Sequence, residues 1–235
     1  MLKELRIPLI FLFIVVTLGL IYLAAYPQID LWYSSTFFAN GEFIGNKSKM
    51  TATIDLLVYF ICITIFLLAG LSVIRLVKKE GKINNGAGRL LFFMSVLILG
   101  SVCIQTLKFT VERPRPYSII EFGGPNTFVP ALKTHSTDDV FVGNENRSFA
   151  SGHTASAFAL ISLAIVGKTK KKRLLLGSAG VIFSFFVGIL RISEGNHFLS
   201  DIAGGIGLVV FIMLWLDFVF PSLLRRVNHA FFTGK

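Results

Sequence analysis

Two histidines and an aspartate in this sequence have the types and spacing of catalytic groups. In "RISEGNHFLSD" His197 and Asp201 are four residues apart, so on a helix starting near His197 they share one face. A carboxylate that accepts a hydrogen bond from one imidazole nitrogen fixes the tautomer and leaves the other nitrogen as base or nucleophile. The plain reading is a polar pair at a helix end, but ionisable groups at a membrane edge are costly and point to function. In "RSFASGHTASAF", Arg147 to Phe158, Ser151, Gly152 and His153 open a second helix. The first N–H groups of a helix lack internal partners and attract anions, and Gly152 lets an anion approach the backbone. Ser151 reads as an N-cap, an anion ligand or both. His153, with an ordinary histidine pKa of about 6.5, suits proton donation at neutral pH.

The third cluster is "KFTVERPRP", with Lys108, Arg113 and Arg115. Lys108 alone reads as a lysine snorkelling to the interface. Arginine before proline, twice over, puts two planar donor forks on a stiff backbone, and such forks suit phosphate oxygens. Together the clusters imply phosphoryl transfer. Cations and a helix N-terminus hold the phosphoryl group, His197 attacks phosphorus in line, and His153 protonates the leaving oxygen. No Cys/His or HExxH-type metal signature occurs, so neither metal nor other cofactor is expected. Asp138 and Asp139 read as solvated charge on a loop.

These groups must be positioned by a membrane scaffold. Of the 235 residues 54% are hydrophobic and 15% charged, against roughly 25% charged in soluble domains, and mean hydropathy is +0.72. Apolar runs suited to crossing a bilayer lie at Ile7 to Ala25, Leu56 to Leu76, Leu90 to Leu107, Ala155 to Gly167, Leu174 to Leu190 and Ile202 to Phe220. An all-α integral membrane protein is expected, with six transmembrane helices in one domain over 1–235. The fourth run is short, so its helix is expected to begin near Ser151.

The net charge of +10 is explained by its placement. Lys3 and Arg6 precede the first run. Arg75, Lys78, Lys79, Lys82 and Arg89 lie between the second and third, Lys168, Lys170, Lys171, Lys172 and Arg173 between the fourth and fifth, and Arg225, Arg226 and Lys235 after the sixth. The positive-inside rule makes these segments and both termini cytoplasmic. Tyr26 to Asp55, Thr110 to Ala150 and Ile192 to Ser200 then lie outside, with the active site at the outer face. Nucleic acid is not an expected partner, because topology accounts for the charge.

The N-terminal run is long for a signal peptide and reads as an uncleaved anchor. Cys62 and Cys103 fall inside apolar runs and read as small hydrophobes, not a disulfide framework. The aromatic loop Tyr26 to Asp55 reads as a segment lying in the interface or touching lipid substrate. The long outer loop, stiffened by Pro114, Pro116, Pro125 and Pro130 and turned at Gly123, Gly124 and Gly143, reads as ordered and functional.

The three clusters resemble the motifs of the type 2 phosphatidic acid phosphatases, integral membrane lipid phosphatases related to vanadium-dependent haloperoxidases. The family's Lys-x6-Arg-Pro appears as Lys108 "FTVERP" Arg115 Pro116. Its Pro-Ser-Gly-His appears as Ala150 Ser151 Gly152 His153, and its Ser-Arg-x5-His-x3-Asp as Leu190 Arg191 "ISEGN" His197 "FLS" Asp201. The motif segments are thus 108–116, 150–153 and 190–201, with Ala150 and Leu190 departing from the pattern and Arg113 outside it. The resemblance implies that His197 is the nucleophile that becomes a phosphohistidine, Asp201 its orienting partner and His153 the general acid. Lys108, Arg115 and Arg191 would form the phosphate clamp, helped by Ser151 and Gly152.

The runs "ERPRPYSIIEFGGPNTFVP" and "GNHFLSD" look like the bacterial branch that includes lipid A phosphatases. The resemblance therefore implies a metal-independent phosphatase of the bacterial inner membrane, facing the periplasm and acting on lipid A. Undecaprenyl diphosphate and phosphatidylglycerophosphate are alternative substrates. Phosphotransfer to a second lipid would use the same intermediate. A transporter or flippase would spread its ionisable groups through the membrane depth, and a binding protein would need neither both histidines nor Asp201.

Overall fold

Each apolar run becomes a helix, because an unbroken apolar sequence satisfies its backbone internally wherever water is excluded. The computed structural model describes residues 5–45, 49–133, 142 and 147–232, with only the backbone at 49–52, 54 and 55. The expectations placed on Lys3, Asp138, Asp139, Gly143 and Lys235 lie outside the described residues.

The long helices are α1 (Arg6–Ala25), α3 (Lys49–Glu80), α4 (Asn85–Val111), α6 (Lys170–Ser193) and α7 (Leu199–Phe232). These five are long and apolar enough to cross a membrane. Between them run a short α2 (Gln28–Ser35), a small hairpin of β1 (Phe38–Ala39) and β2 (Glu42–Phe43), and α5 (Gly152–Ala159). The fourth apolar run is the exception to uniform α-helix. Its first half is α5, and Leu160–Val166 continues as 3-10 helix. At rises of about 1.5 and 2.0 Å per residue, Gly152–Val166 extends roughly 26 Å, so the tighter winding lets a short segment cover much of a bilayer core.

α5 lies at the centre, packed on α4, α6 and α7. Its Ala155, Phe158 and Ala159 meet Phe92, Phe93, Val96 and Ile104 of α4 and Val209, Val210 and Met213 of α7 in the main core. Glycines permit the close approach. A Cβ on Gly205 of α7 would stand 2.7 Å from the Ser151 carbonyl oxygen, and one on Gly180 of α6 would stand 2.8 Å from the Ile161 nitrogen. Outward faces remain apolar, as at Ile7, Phe60, Leu174, Ile182 and Phe218, which suits lipid as the surrounding solvent.

At one end, Arg6 closes on Asp217, with Nε 2.8 Å and Nη2 2.5 Å from Oδ2. The pair joins the start of α1 to α7 and satisfies a carboxylate only 2% exposed. At this end too, Asn228 of α7 bonds both the N–H and the carbonyl of Ile83. The opposite end gathers the C-termini of α4 and α6 and the N-termini of α5 and α7, which bear the three motif clusters.

The aromatic loop folds over that end. Gly45 N–H donates to the Ser193 carbonyl at 2.9 Å, and Phe43 and Phe38 pack with Phe122, Ile119 and Phe198 in a second apolar cluster. It is therefore part of the molecule's own packing, with Trp32 left exposed. Gly205→Ala should force the α5 N-terminus off α7. We expect a loss of about 1–3 kcal/mol, read as a lowered Tm in detergent; an unchanged Tm would mean that the contact yields without cost.

Candidate active site

The site is organised around the carboxylate of Asp201, in the first turn of α7. Asp201 Oδ2 accepts the Phe198 N–H at 2.7 Å, the reach-back bond of a capping box, and also the Ser148 hydroxyl. Oδ1 accepts from Arg113 Nη1 at 2.6 Å. His197 Nδ1 lies 3.6 Å from Oδ2, just beyond hydrogen-bond length, and its other ring nitrogen, Nε2, is left without the carboxylate. The helix starts at Leu199, two residues beyond His197. The i,i+4 pair is closed by the capping turn, because Asp201 bonds the backbone that leads into the helix.

Arg113 lies outside the motif, and the sequence alone assigns it no role. It is 1% exposed, and its donors are committed to protein acceptors. Nε donates to the Val129 carbonyl at 2.8 Å, Nη1 to Ser200 Oγ and Asp201, and Nη2 to Asp30 Oδ2 at 2.9 Å. Its guanidinium also stacks 4.3 Å from the Phe198 ring centroid. Asp30, from α2, completes the network by accepting the Ser200 N–H at 2.9 Å and the Ser200 hydroxyl.

The remaining motif residues converge beside this network. Lys108, in the last turn of α4, feels the charges of Arg115, Arg191, Arg147 and Asp201. Its Nζ lies 3.8 Å from where a Cβ on Gly152 would stand. Ser151 N–H donates to the Asp201 carbonyl at 3.0 Å, fixing the start of α5 to the start of α7. The Ser151 hydroxyl pairs with Thr154 Oγ1 at 3.0 Å, and no side chain caps the first N–H groups of α5. His153 sits in that first turn with its ring edge-on to Tyr59 of α3, centroids 4.7 Å apart. Arg191, 5% exposed, pairs through Nη1 with Glu194 Oε2 at 2.8 Å. Arg115 Nη1 donates to Asn196 Oδ1 at 3.0 Å.

Burial is the largest influence on His197 and pushes its pKa down to about 4; Lys108 and Arg191 act in the same direction, and Asp201 opposes them. The imidazole is therefore neutral at pH 7, with a lone pair available. Among the described residues no three of His, Cys, Asp and Glu gather as a metal site.

All eight motif side chains or backbones thus lie at one end of the bundle. Sequence reading missed Asp30, Ser148, Glu194, Asn196 and Ser200, and also Arg147, exposed at the rim with its guanidinium 4.4 Å over Phe109. Ser200 and Asn196 adjoin motif residues and could have been suspected. Asp30 carried no local signal, since only tertiary folding brings it to Arg113.

Residues 89–221 match the model of the PAP2 superfamily. The lipid A 4'-phosphatase of Francisella tularensis subsp. novicida (strain U112) is 26% identical over 220 residues, covering 89% of this chain and 92% of that protein. The lipid A 4'-phosphatase of Rhizobium leguminosarum is 30% identical over 211 residues, covering 81% of this chain and 87% of that one. In fold, the chain is similar to a transmembrane PAP2 type phosphatidylglycerolphosphate phosphatase from Bacillus subtilis. Its crystal structure aligns with TM-score 0.55 and 18% identity, over 96% of this chain and 99% of that chain.

Arg113→Ala would strand two buried carboxylates, and we expect about 3–5 kcal/mol of destabilisation. Arg113→Lys, without the fork, should also lower Tm. A lysine variant as stable as the parent but with a raised KM would instead return Arg113 to phosphate binding.

Proposed function

The chain belongs to the PAP2 superfamily and is a phosphatase, a phosphoric monoester hydrolase, and from that premise we propose that it removes the 4'-phosphate of lipid A through a phosphohistidine at His197. The observation that carries this reading is a buried, neutral imidazole with a carboxylate behind Nδ1 and fixed cations beside it. The lipid A 4'-phosphatases similar over most of the chain support the substrate.

In the first step His197 Nε2 attacks phosphorus as the bond to the sugar oxygen breaks, and His153 gives that oxygen its proton. Lys108, Arg115, Arg191 and the N-terminal N–H groups of α5 meet the charge on the equatorial oxygens. The imidazole becomes positively charged on phosphorylation, and Asp201 stands 3.6 Å away to stabilise it. In the second step His153, now a base, takes a proton from water, which attacks phosphorus and restores neutral His197 with release of inorganic phosphate. The residues used supply this chemistry without a metal.

We place the site at the periplasmic face of the bacterial inner membrane, with six spans and cytoplasmic termini. Supporting this are the basic segments Arg75 to Arg89, Lys168 to Arg173 and Arg225 to Arg226, at helix ends opposite those that bear the motifs, and the positive-inside rule.

The test is phosphate release by detergent-purified protein in EDTA from lipid A, undecaprenyl diphosphate, phosphatidylglycerophosphate and phosphatidic acid. We expect release from lipid A, with the product lacking its 4'-phosphate by mass spectrometry. His197→Ala should reduce it at least about a thousand-fold, and His153→Ala by about 10²–10⁴. Release that survives His197→Ala would overturn the mechanism, and activity confined to another lipid would overturn the substrate.

The pH profile tests the same assignment. Attack needs neutral His197, so kcat/KM should hold as pH falls below 6.5 and decline only as the imidazole protonates, toward about 4. An acid limb near 6.5 would mean an ordinary histidine carries the step.

A further inference from the structure

The mechanism leaves unused a buried carboxylate among the cations. Glu194 is 4% exposed, and a carboxylate beside a phosphate site repels the group that the site must hold. Its position follows from local folding. Glu194 caps the C-terminus of α6, and Gly195 at φ +68° reverses the chain. Gly195 N–H then donates to the Ile192 carbonyl at 2.9 Å and Asn196 N–H to the Arg191 carbonyl at 3.1 Å, a Schellman closure. This turn brings Glu194, Asn196 and His197 to one place.

There Glu194 Oε2 accepts from Arg191 Nη1 at 2.8 Å and from Asn196 Nδ2 at 2.8 Å. Asn196 Oδ1 in turn accepts from Arg115 Nη1 at 3.0 Å. One carboxylate therefore orients Arg191 directly and Arg115 through an amide. It also offsets one of the three positive charges that Lys108, Arg115 and Arg191 bring. A phosphomonoester carries about −1.5 to −2 at pH 7. A diphosphate brings roughly one charge more, placed near a buried carboxylate with little screening. Arg147 adds little to this balance, because it is exposed and solvent screens it.

We propose that Glu194 is a positioning and specificity-determining residue that matches the clamp to a phosphomonoester and disfavours a diphosphate. This rests on the clamp assigned above. The test is the ratio of the Ki for pyrophosphate to the Ki for inorganic phosphate, each measured as a competitive inhibitor of lipid A hydrolysis. Glu194→Gln keeps oxygen and shape but removes the charge, and should lower the ratio about ten-fold by relieving a like-charge contact. Glu194→Ala also removes the charge and should lower the ratio in the same direction, which keeps the idea open to refutation if the glutamine variant does not fold. A Glu194→Gln protein with the parent's Tm and an unchanged ratio would overturn the proposal, since a merely structural glutamate affects both ions alike. Wild-type protein that releases no phosphate from any lipid would count against the underlying reading instead. In that case the ratio of the two anions' Kd values, taken from thermal shifts, would still decide Glu194.

Discussion

Everything at the catalytic end depends on one buried guanidinium. Arg113 has almost no contact with water, and a charge so placed survives only if its partners are close and correctly aimed. Asp30 and Asp201 provide the charge, while Ser200 and the Val129 carbonyl take the remaining bonds. The three charges come from α2, the segment after α4, and α7, so the bonds that neutralise Arg113 also fix these segments to one another. Asp201 is then held from several sides before His197 meets it. The imidazole's partner is rigid because it is already engaged, which is how a preorganised site avoids reorganisation during reaction.

The same arrangement couples the clamp to the nucleophile. Lys108 and Arg191, whose charges suit a phosphate, also disfavour the protonated form of His197 and so help keep its lone pair available. Asp201 works against them, but much of its charge is taken up by Arg113. The carboxylate can thus orient the ring and stabilise a developing positive charge, while burial, the larger influence, keeps the resting imidazole unprotonated.

Much of this was legible in sequence because motif spacing and hydropathy are local properties. The apolar runs mark helices whose partners are lipid and one another, and the clusters at Lys108, Ser151 and His197 fall at helix ends that antiparallel packing brings together. Two kinds of feature were hidden. Asp30 lies in a loop that looks like an interfacial aromatic segment, and nothing near it in sequence requires a buried carboxylate; the demand comes from Arg113, 83 residues away. The 3-10 winding of Leu160–Val166 was equally invisible, because an apolar run has no marker for helix type. Within it Ile161 packs closely on Gly180 of α6, a tertiary contact that no local pattern announces. The role of Arg113 stayed open in the sequence for a chemical reason, since a fork of donors serves carboxylates as well as phosphates.

The departures at Ala150 and Leu190 fit the same packing logic. Ala150 is fully buried, and its Cβ would stand 3.5 Å from one built on Gly204, where the Phe149 ring already lies at 2.7 Å. The position before Ser151 is therefore filled from α7, so a small side chain there is held by the helix it touches and needs no ring to stiffen it. Leu190 contributes through its backbone: its carbonyl accepts from Glu194 N–H at 3.1 Å and from the Ser193 hydroxyl at 2.8 Å. Those bonds close the last turn of α6, from which Arg191 enters the clamp. At both positions the need is for a backbone held in place, and such a need constrains side-chain identity less than a charge or an imidazole does.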